Sequence, residues 1–232
     1  MCGRLNVSDD PFVLKLIKEL GCTTSFENIL WSRFKKAGDQ VSIIRENKNG
    51  RELQNATWWL LLDKTEDRFK LSKYTSFNTR SDKLNTPNSA GYKAFRHSRC
   101  IIPVKGFGET EFANKKPIHY YDMEALEGES MALGGLCREW IHPSTGEVAL
   151  SCSVITLPPH PKLEAIHKKS MPFILPNTQS IHDQWLDPTI SNVEIFDDLL
   201  HPHLPQTLNA YQINKPSLHQ QIGESFMIAA DK

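Results

Sequence analysis

An α+β fold built mainly of β-strands is what this 232-residue sequence predicts. Three observations carry that prediction. Short apolar or alternating runs follow one another along the chain, separated by turn signals rich in Gly, Pro and Asn. Helical periodicity is confined to a few brief segments. No internal repeat at a period of roughly 20–50 residues, no low-complexity tract and no Gly/Ser linker divides the chain, so residues 1–232 are read as one domain.

The elements follow in order. Residues 5–7 (LNV) read as a short strand. Asp10 offers a helix-capping oxygen and Pro11 a preset first turn. Phe12, Val13, Leu16, Ile17 and Leu20 form the apolar stripe, and Gly21 is the stop. Strand-like runs are then expected at 41–45, before an NKNG turn, at 56–62, 69–77 and 100–104, at 118–121 after a KKP turn, and at 131–136 and 149–157. Helical segments are expected at 161–167, 181–186 and 193–200, and a last strand at 208–213 precedes a polar tail.

Composition narrows the function classes. Hydrophobic content of 39% and charged content of 23% describe an ordinary globular protein. No apolar run reaches about 18 residues, so no membrane helix is expected, and the opening residues lack the pattern of a signal peptide. Five cysteines without framework spacing fit free thiols in a reducing cytoplasm. Net charge is zero, which argues against bulk attraction to nucleic acid. The charge is unevenly placed, however. Basic residues gather in SRFKK (32–36) and KAFRHSR (93–99), whereas no Lys or Arg lies between Lys169 and Lys215.

Metal and phosphate chemistry find little support. Nine histidines are present, but no CxxC or HExxH, and GFGET lacks the lysine and glycine spacing of a phosphate loop; no metal or cofactor is expected. Cysteine chemistry does better. Cys100 and Cys152 sit in apolar strand patterns and read as small core residues. Cys2 stands directly behind the initiator in MCGR. Removal of Met1 ahead of this small residue gives one residue carrying both an α-amine and a thiol. An α-amine has a pKa of about 7.7–8.0 against about 10.4 for lysine, so far more of it is neutral at pH 7. Such an amine condenses with an aldehyde to an imine, which the neighbouring thiol closes into a five-membered thiazolidine.

Four separated blocks resemble the SRAP family of SOS-response-associated peptidases and abasic-site processing proteins. They are Met1-Cys2-Gly3-Arg4, Ser76-Phe77-Asn78-Thr79-Arg80-Ser81, the run from Arg99 to Glu109 (RCIIPVKGFGE), and Val154-Ile155-Thr156 followed by Ile166-His167-Lys168-Lys169-Ser170-Met171-Pro172. The resemblance implies a barrel-like core of mainly antiparallel strands with a few flanking helices. It also implies covalent capture of abasic sites in single-stranded DNA.

By that resemblance Cys2 is the nucleophile, Asn78 holds its amine and the sugar, and Glu109 and His167 handle protons. Arg80, with Arg4 as a second candidate, is expected to meet DNA phosphates through a planar fork. Trp58 and Trp59 are the candidate stacking platform for bases. Taken singly, Asn78 is also an ordinary turn residue, Glu109 a surface carboxylate and His167 a helix cap. The sequence departs from the family pattern at Gly108 and Thr110, where aromatics flank the glutamate, and at Lys169-Ser170 in place of a single arginine. Abasic single-stranded DNA is the expected partner and a monomer the expected state. A peptidase acting on its own N-terminus and a non-catalytic single-stranded-DNA binder are the alternatives.

Overall fold

A single run of backbone belongs to both β-layers of the molecule, and the geometry of the site begins there. The computed structural model describes residues 3–22 and 26–232. In chain order, β1 (Arg4–Val7) leads into α1 (Pro11–Glu19), then β2 (Ser32–Lys36), β3 (Gln40–Asn47) and β4 (Gly50–Thr57). Short strands β5 (Leu62–Lys64), β6 (Phe69–Leu71) and β7 (Asn78–Arg80) precede α2 (Tyr92–His97). Next come β8 (Arg99–Val104), β9 (Gly106–Ala113), β10 (Lys116–Ala125), β11 (Met131–Ile141) and β12 (Val148–Leu157). The chain closes with β13 (Met171–Pro172), α3 (Gln179–Leu186), β14 (Leu208–Ile213) and β15 (Gln221–Ile228).

Strands β11, β8, β3, β4 and β12 follow one another, and a β11–β12 ladder closes them into a five-stranded barrel. The β4–β12 contact is parallel and the other four are antiparallel, so the barrel is mixed. The second sheet, ordered β15-β14-β10-β9-β1-β2, is antiparallel throughout. Lys105 alone separates β8 of the barrel from β9 of the sheet. Every residue of β8 is buried, because one face looks into the barrel and all three α-helices contact the strand. That double burial explains why RCIIPV is nearly continuous in apolar residues. Its one charge, Arg99, is consumed by the carbonyl oxygens of Phe95 and Trp185, each at 2.7 Å, which ties α2 and α3 to the barrel.

Local signals set α1 as expected. The Asp10 carboxylate accepts from the Phe12 and Val13 amides, and Gly21 takes the left-handed conformation (φ +87°) past the end. Cys22, Cys100, Cys137 and Cys152 are free and buried, so the core reading of Cys100 and Cys152 holds.

Elsewhere the structure corrects the sequence reading. The strand expected at 56–62 stops at Thr57, because the Trp58 indole turns into the core and donates to the Phe77 carbonyl. The run expected at 69–77 keeps only β6, since the Ser72 and Ser76 hydroxyls bond backbone amides of Tyr74 and Leu61 instead of leaving them to a ladder. Segments 161–167 and 193–200 form 3₁₀ rather than α turns, over Pro161–Leu163 and Val193–Leu200. The polar tail contains β15, and β2, β7, β9 and α2 were not anticipated.

Two strands attach to the far half of β12 and assemble the site. β7 pairs with it in parallel, Val154 opposite Asn78, while β13 pairs through Thr156 and Pro172. Segments remote in sequence are thereby placed beside β9. The crossover itself is tight: a Cβ on Gly106 would lie 2.3 Å from the Met123 carbonyl oxygen. Gly106→Ala should therefore cost about 1–3 kcal/mol of unfolding free energy, as overpacking against immobile backbone does, measured by urea titration.

Candidate active site

Glu109 sits on β9 opposite Tyr121 of β10 and is 4% exposed. Burial pushes its carboxyl up to about 7, with the Arg4 guanidinium pulling the other way. Arg4 lies opposite Gly108 in the β1–β9 register. One amino group donates to the carbonyl oxygens of Glu109 and Tyr121, both at 2.9 Å, and the other is 3.2 Å from Asp122 Oδ1. A Cβ on Gly108 would stand 2.5 Å from the Arg4 Cζ. The glycine in place of an aromatic is thus the seat of the guanidinium, which lies inside the sheet. Arg4 accordingly supports Glu109 rather than presenting a fork to solvent, against the sequence expectation.

His167 follows the 3₁₀ turn at Pro161–Leu163, its amide bonded to the Leu163 carbonyl at 2.8 Å. Its ring Nδ1 is 3.3 Å from the Thr110 carbonyl oxygen and 3.4 Å from Glu109 Oε2. Burial holds the imidazole down to about 4, helped by the Lys169 charge and opposed by the Thr110 contact. A carbonyl can only accept, so the Thr110 contact selects the tautomer protonated at Nδ1 and leaves Nε2 as the basic nitrogen. Burial outweighs ion pairing for both groups. Between about pH 4 and 7 the pair is therefore a protonated carboxyl beside a neutral imidazole.

Both side chains line a cavity of about 300 Å³, with Gly3, Arg4, Phe77, Gly108, Thr110, Phe112 and Lys169 completing the wall. Cys2 lies outside the described residues; Gly3, its neighbour in sequence, is on this wall. Asn78 begins β7 beside the cavity-lining Phe77 and is partly buried. Arg80 lines an adjoining groove of about 490 Å³ together with Thr156, Pro158, Pro159 and Ser170, and Lys169 borders both spaces. The Arg80 fork is held open to solvent by a bidentate pair to Asp82 at 2.9 and 2.7 Å. The surface pair is weak enough to be exchanged for another anion.

The tryptophan expectation needs correction. Trp58 is 0% exposed and offers no face to a base. Trp59 is half-buried, its indole N–H given to the Ser72 carbonyl and its ring set against Phe77 at 5.6 Å. The exposed aromatic at the cavity is Phe112, 51% exposed, with the Lys169 ammonium 5.9 Å from its ring centre. Sequence reading passed over it because it falls between the expected strands, just ahead of the KKP turn. Its signal was an aromatic three residues past the candidate carboxyl. Among the described residues, no group of three or more His, Cys, Asp or Glu side chains is placed to hold a metal ion.

Comparison with known proteins gives a consistent picture. A family model described as SOS response associated peptidase (SRAP) matches residues 1–216. The abasic site processing protein YoqW of Bacillus subtilis is 29% identical over 174 residues, covering 75% of this chain and 74% of its own. The abasic site processing protein YobE of the same organism is 29% identical over 182 residues, covering 77% and 80%. A crystal structure of a Bacteroides thetaiotaomicron protein superposes with a TM-score of 0.73 at 23% identity over 94% of both chains. One from Bordetella bronchiseptica gives 0.71 at 17% identity over 92% of this chain and 100% of that one.

The raised carboxyl has a measurable consequence for stability. Folding raises the Glu109 pKa from 4.5 to about 7, so the folded state holds this proton more tightly. The stability it contributes is present below about 4.5 and is lost as pH rises through 7. Glu109→Gln carries no such titration. Its unfolding free energy relative to wild type should climb between pH 5 and 8, by at most about 3 kcal/mol, in denaturant melts at the two pH values.

Proposed function

The chain belongs to the SOS response associated peptidase family, the abasic site processing proteins, and from that premise we propose that it captures abasic sites in single-stranded DNA as a covalent adduct of Cys2. The observation that carries this reading is the buried Glu109–His167 pair, 3.4 Å apart, in the wall of a cavity that begins one residue after Cys2. The names of the Bacillus relatives support the substrate class.

The chemistry uses each group for what it can do. The neutral α-amine adds to the aldehyde carbon of the ring-opened deoxyribose and gives a carbinolamine. The hydroxyl must leave as water, and a carboxyl with a pKa near 7 is poised to protonate it. The thiol then adds to the imine carbon and its proton passes to the nitrogen, closing the thiazolidine. The sum is aldehyde plus aminothiol giving thiazolidine plus one water. His167 Nε2 is suited to exchange a proton with the sugar oxygen freed by ring opening, and the Asn78 amide to orient the nucleophile without adding charge. Arg80 and Lys169 supply cations along the adjoining groove, and Phe112 an exposed ring beside the cavity for a flanking base.

Intact mass spectrometry decides between this reading and its rivals. Wild-type protein with an abasic oligonucleotide should show the summed mass less one water, stable to denaturant. Cys2→Ser keeps the amine but cannot close the ring, so its adduct should appear only after borohydride. Cleavage of an added peptide without adduct would favour the peptidase reading, and retention of the DNA without mass change the simple binder.

His167→Ala tests the proton assignment. Both formation and reversal of the adduct should slow, by about 10²–10⁴-fold at the upper range for acid–base catalysis, with non-covalent affinity for the oligonucleotide nearly unchanged. Two rates equal to wild type, with only the melting temperature lowered, would leave His167 a structural residue.

A further inference from the structure

We propose that Asp122 is a positioning residue: it holds the Arg4 guanidinium across Gly108 and thereby sets how tightly Glu109 keeps its proton. This rests on the reading of Glu109 as the proton-handling group.

The geometry is a row across three strands. Arg4 of β1, Gly108 of β9 and Asp122 of β10 stand side by side in the antiparallel register. A side chain from β1 reaches β10 only because the residue between them has no Cβ; one there would meet the guanidinium at 2.5 Å. Asp122 Oδ1 is 3.2 Å from one Arg4 amino group and fixes that fork, while the other donates to the Glu109 backbone. Asp122 is fastened from behind: its Oδ2 is 3.3 Å from Nδ1 of His219, in the connection between β14 and β15. The His219 ring lies edge-on to Phe34 of β2, 5.5 Å between centres.

Two residues along, past the Leu5–Phe107–Met123 row, the device repeats. Asn6 of β1 reaches over Gly106 to Glu124 Oε1 at 2.6 Å, and Glu124 is held in turn by the Tyr211 hydroxyl at 2.8 Å. Two glycines on one strand, each bridged by a polar side chain crossing to β10, make a built feature of this sheet. Only the Arg4 row reaches Glu109.

The charged and titratable groups around Glu109 come from every neighbouring element. Among the described residues they are Arg4 from β1, Tyr121 and Asp122 from β10, and His167 and Lys169 from the segment leading to β13; the positive charge of the chain's N-terminus also lowers the carboxyl. An uncompensated guanidinium favours the carboxylate; a guanidinium neutralised by Asp122 does so much less. Burial raises the Glu109 carboxyl to about 7 against the pull of the Arg4 charge, so the strength of that pull sets where the carboxyl stands.

The test is a ¹³C NMR titration of the Glu109 carboxyl in the full chain, assigned with Glu109→Gln. Asp122→Asn leaves the Arg4 charge undamped, so the midpoint should fall by about one pH unit. Gly108→Ala changes no charge but displaces the guanidinium and leaves the Asp122 carboxylate behind, so the midpoint should rise. Opposite shifts support the proposal, as general loosening moves both the same way. Midpoints that stay put, or that move together, overturn it; if Asp122→Asn does not fold, the Gly108→Ala midpoint alone decides by rising or not. Absence of a DNA adduct in wild type would overturn the proposed function and leave this titration readable.

Discussion

The seating of one guanidinium over one glycine is the constraint on which the site depends. Arg4 binds β1 to β9 and β10 at once, because its fork reaches two carbonyls and a carboxylate on different strands. Burying a guanidinium costs several kcal/mol unless its charge is answered, and here one amino group donates to two carbonyls while the other stands 3.2 Å from the Asp122 carboxylate. The same contacts fix the Glu109 backbone, so the carboxyl is aimed by a charge that it only partly feels. Placing this arginine two residues from Cys2 also anchors the start of β1, where a chain end is usually loose.

Burial then decides the chemistry of the pair. In water a glutamate and a histidine 3.4 Å apart would favour the ion pair. At 4% and 7% side-chain exposure, desolvation wins on both sides, raising the acid and lowering the base. An acid near 7 and a neutral imidazole can pass a proton at neutral pH without either becoming a costly isolated charge. The free energy for this arrangement comes from the rest of the fold: β12 holds β7 and β13, and the barrel holds β12.

How much of this was legible in the sequence follows from how local each signal is. α1 was readable from Asp10, Pro11 and Gly21, because capping and stop geometry act within a turn. β8 was readable from its unbroken apolar run, and the blocks around Asn78, Glu109 and His167 were found by their resemblance to a family. β9 was not, since GFGETEFA reads as a glycine-rich loop; its glycines exist for side chains arriving from β1, a tertiary reason with no local trace. β15 is exposed along most of its length and so lacks the alternation that marks a half-buried strand. Trp58 and Trp59 are adjacent and alike in composition, yet one is core and the other half-buried, which only packing determines. Asp122 and His219 carry no pattern at all, and their roles emerge from register.

The departures from the family pattern make sense together. Where an aromatic precedes the glutamate in the pattern, Gly108 clears the path for Arg4. An aromatic surface is nevertheless present at the cavity, moved along the same strand to Phe112. The lysine introduced at 169 stands over that ring and borders the groove that Arg80 lines. A strand that cannot carry bulk beside its carboxyl can carry it three residues on, where the β9–β10 register slips between Pro117 and His119. The constraint at Gly108 and the exposed ring at Phe112 are in this sense one solution: the sheet fills with charge where it is tight and presents its aromatic where it opens.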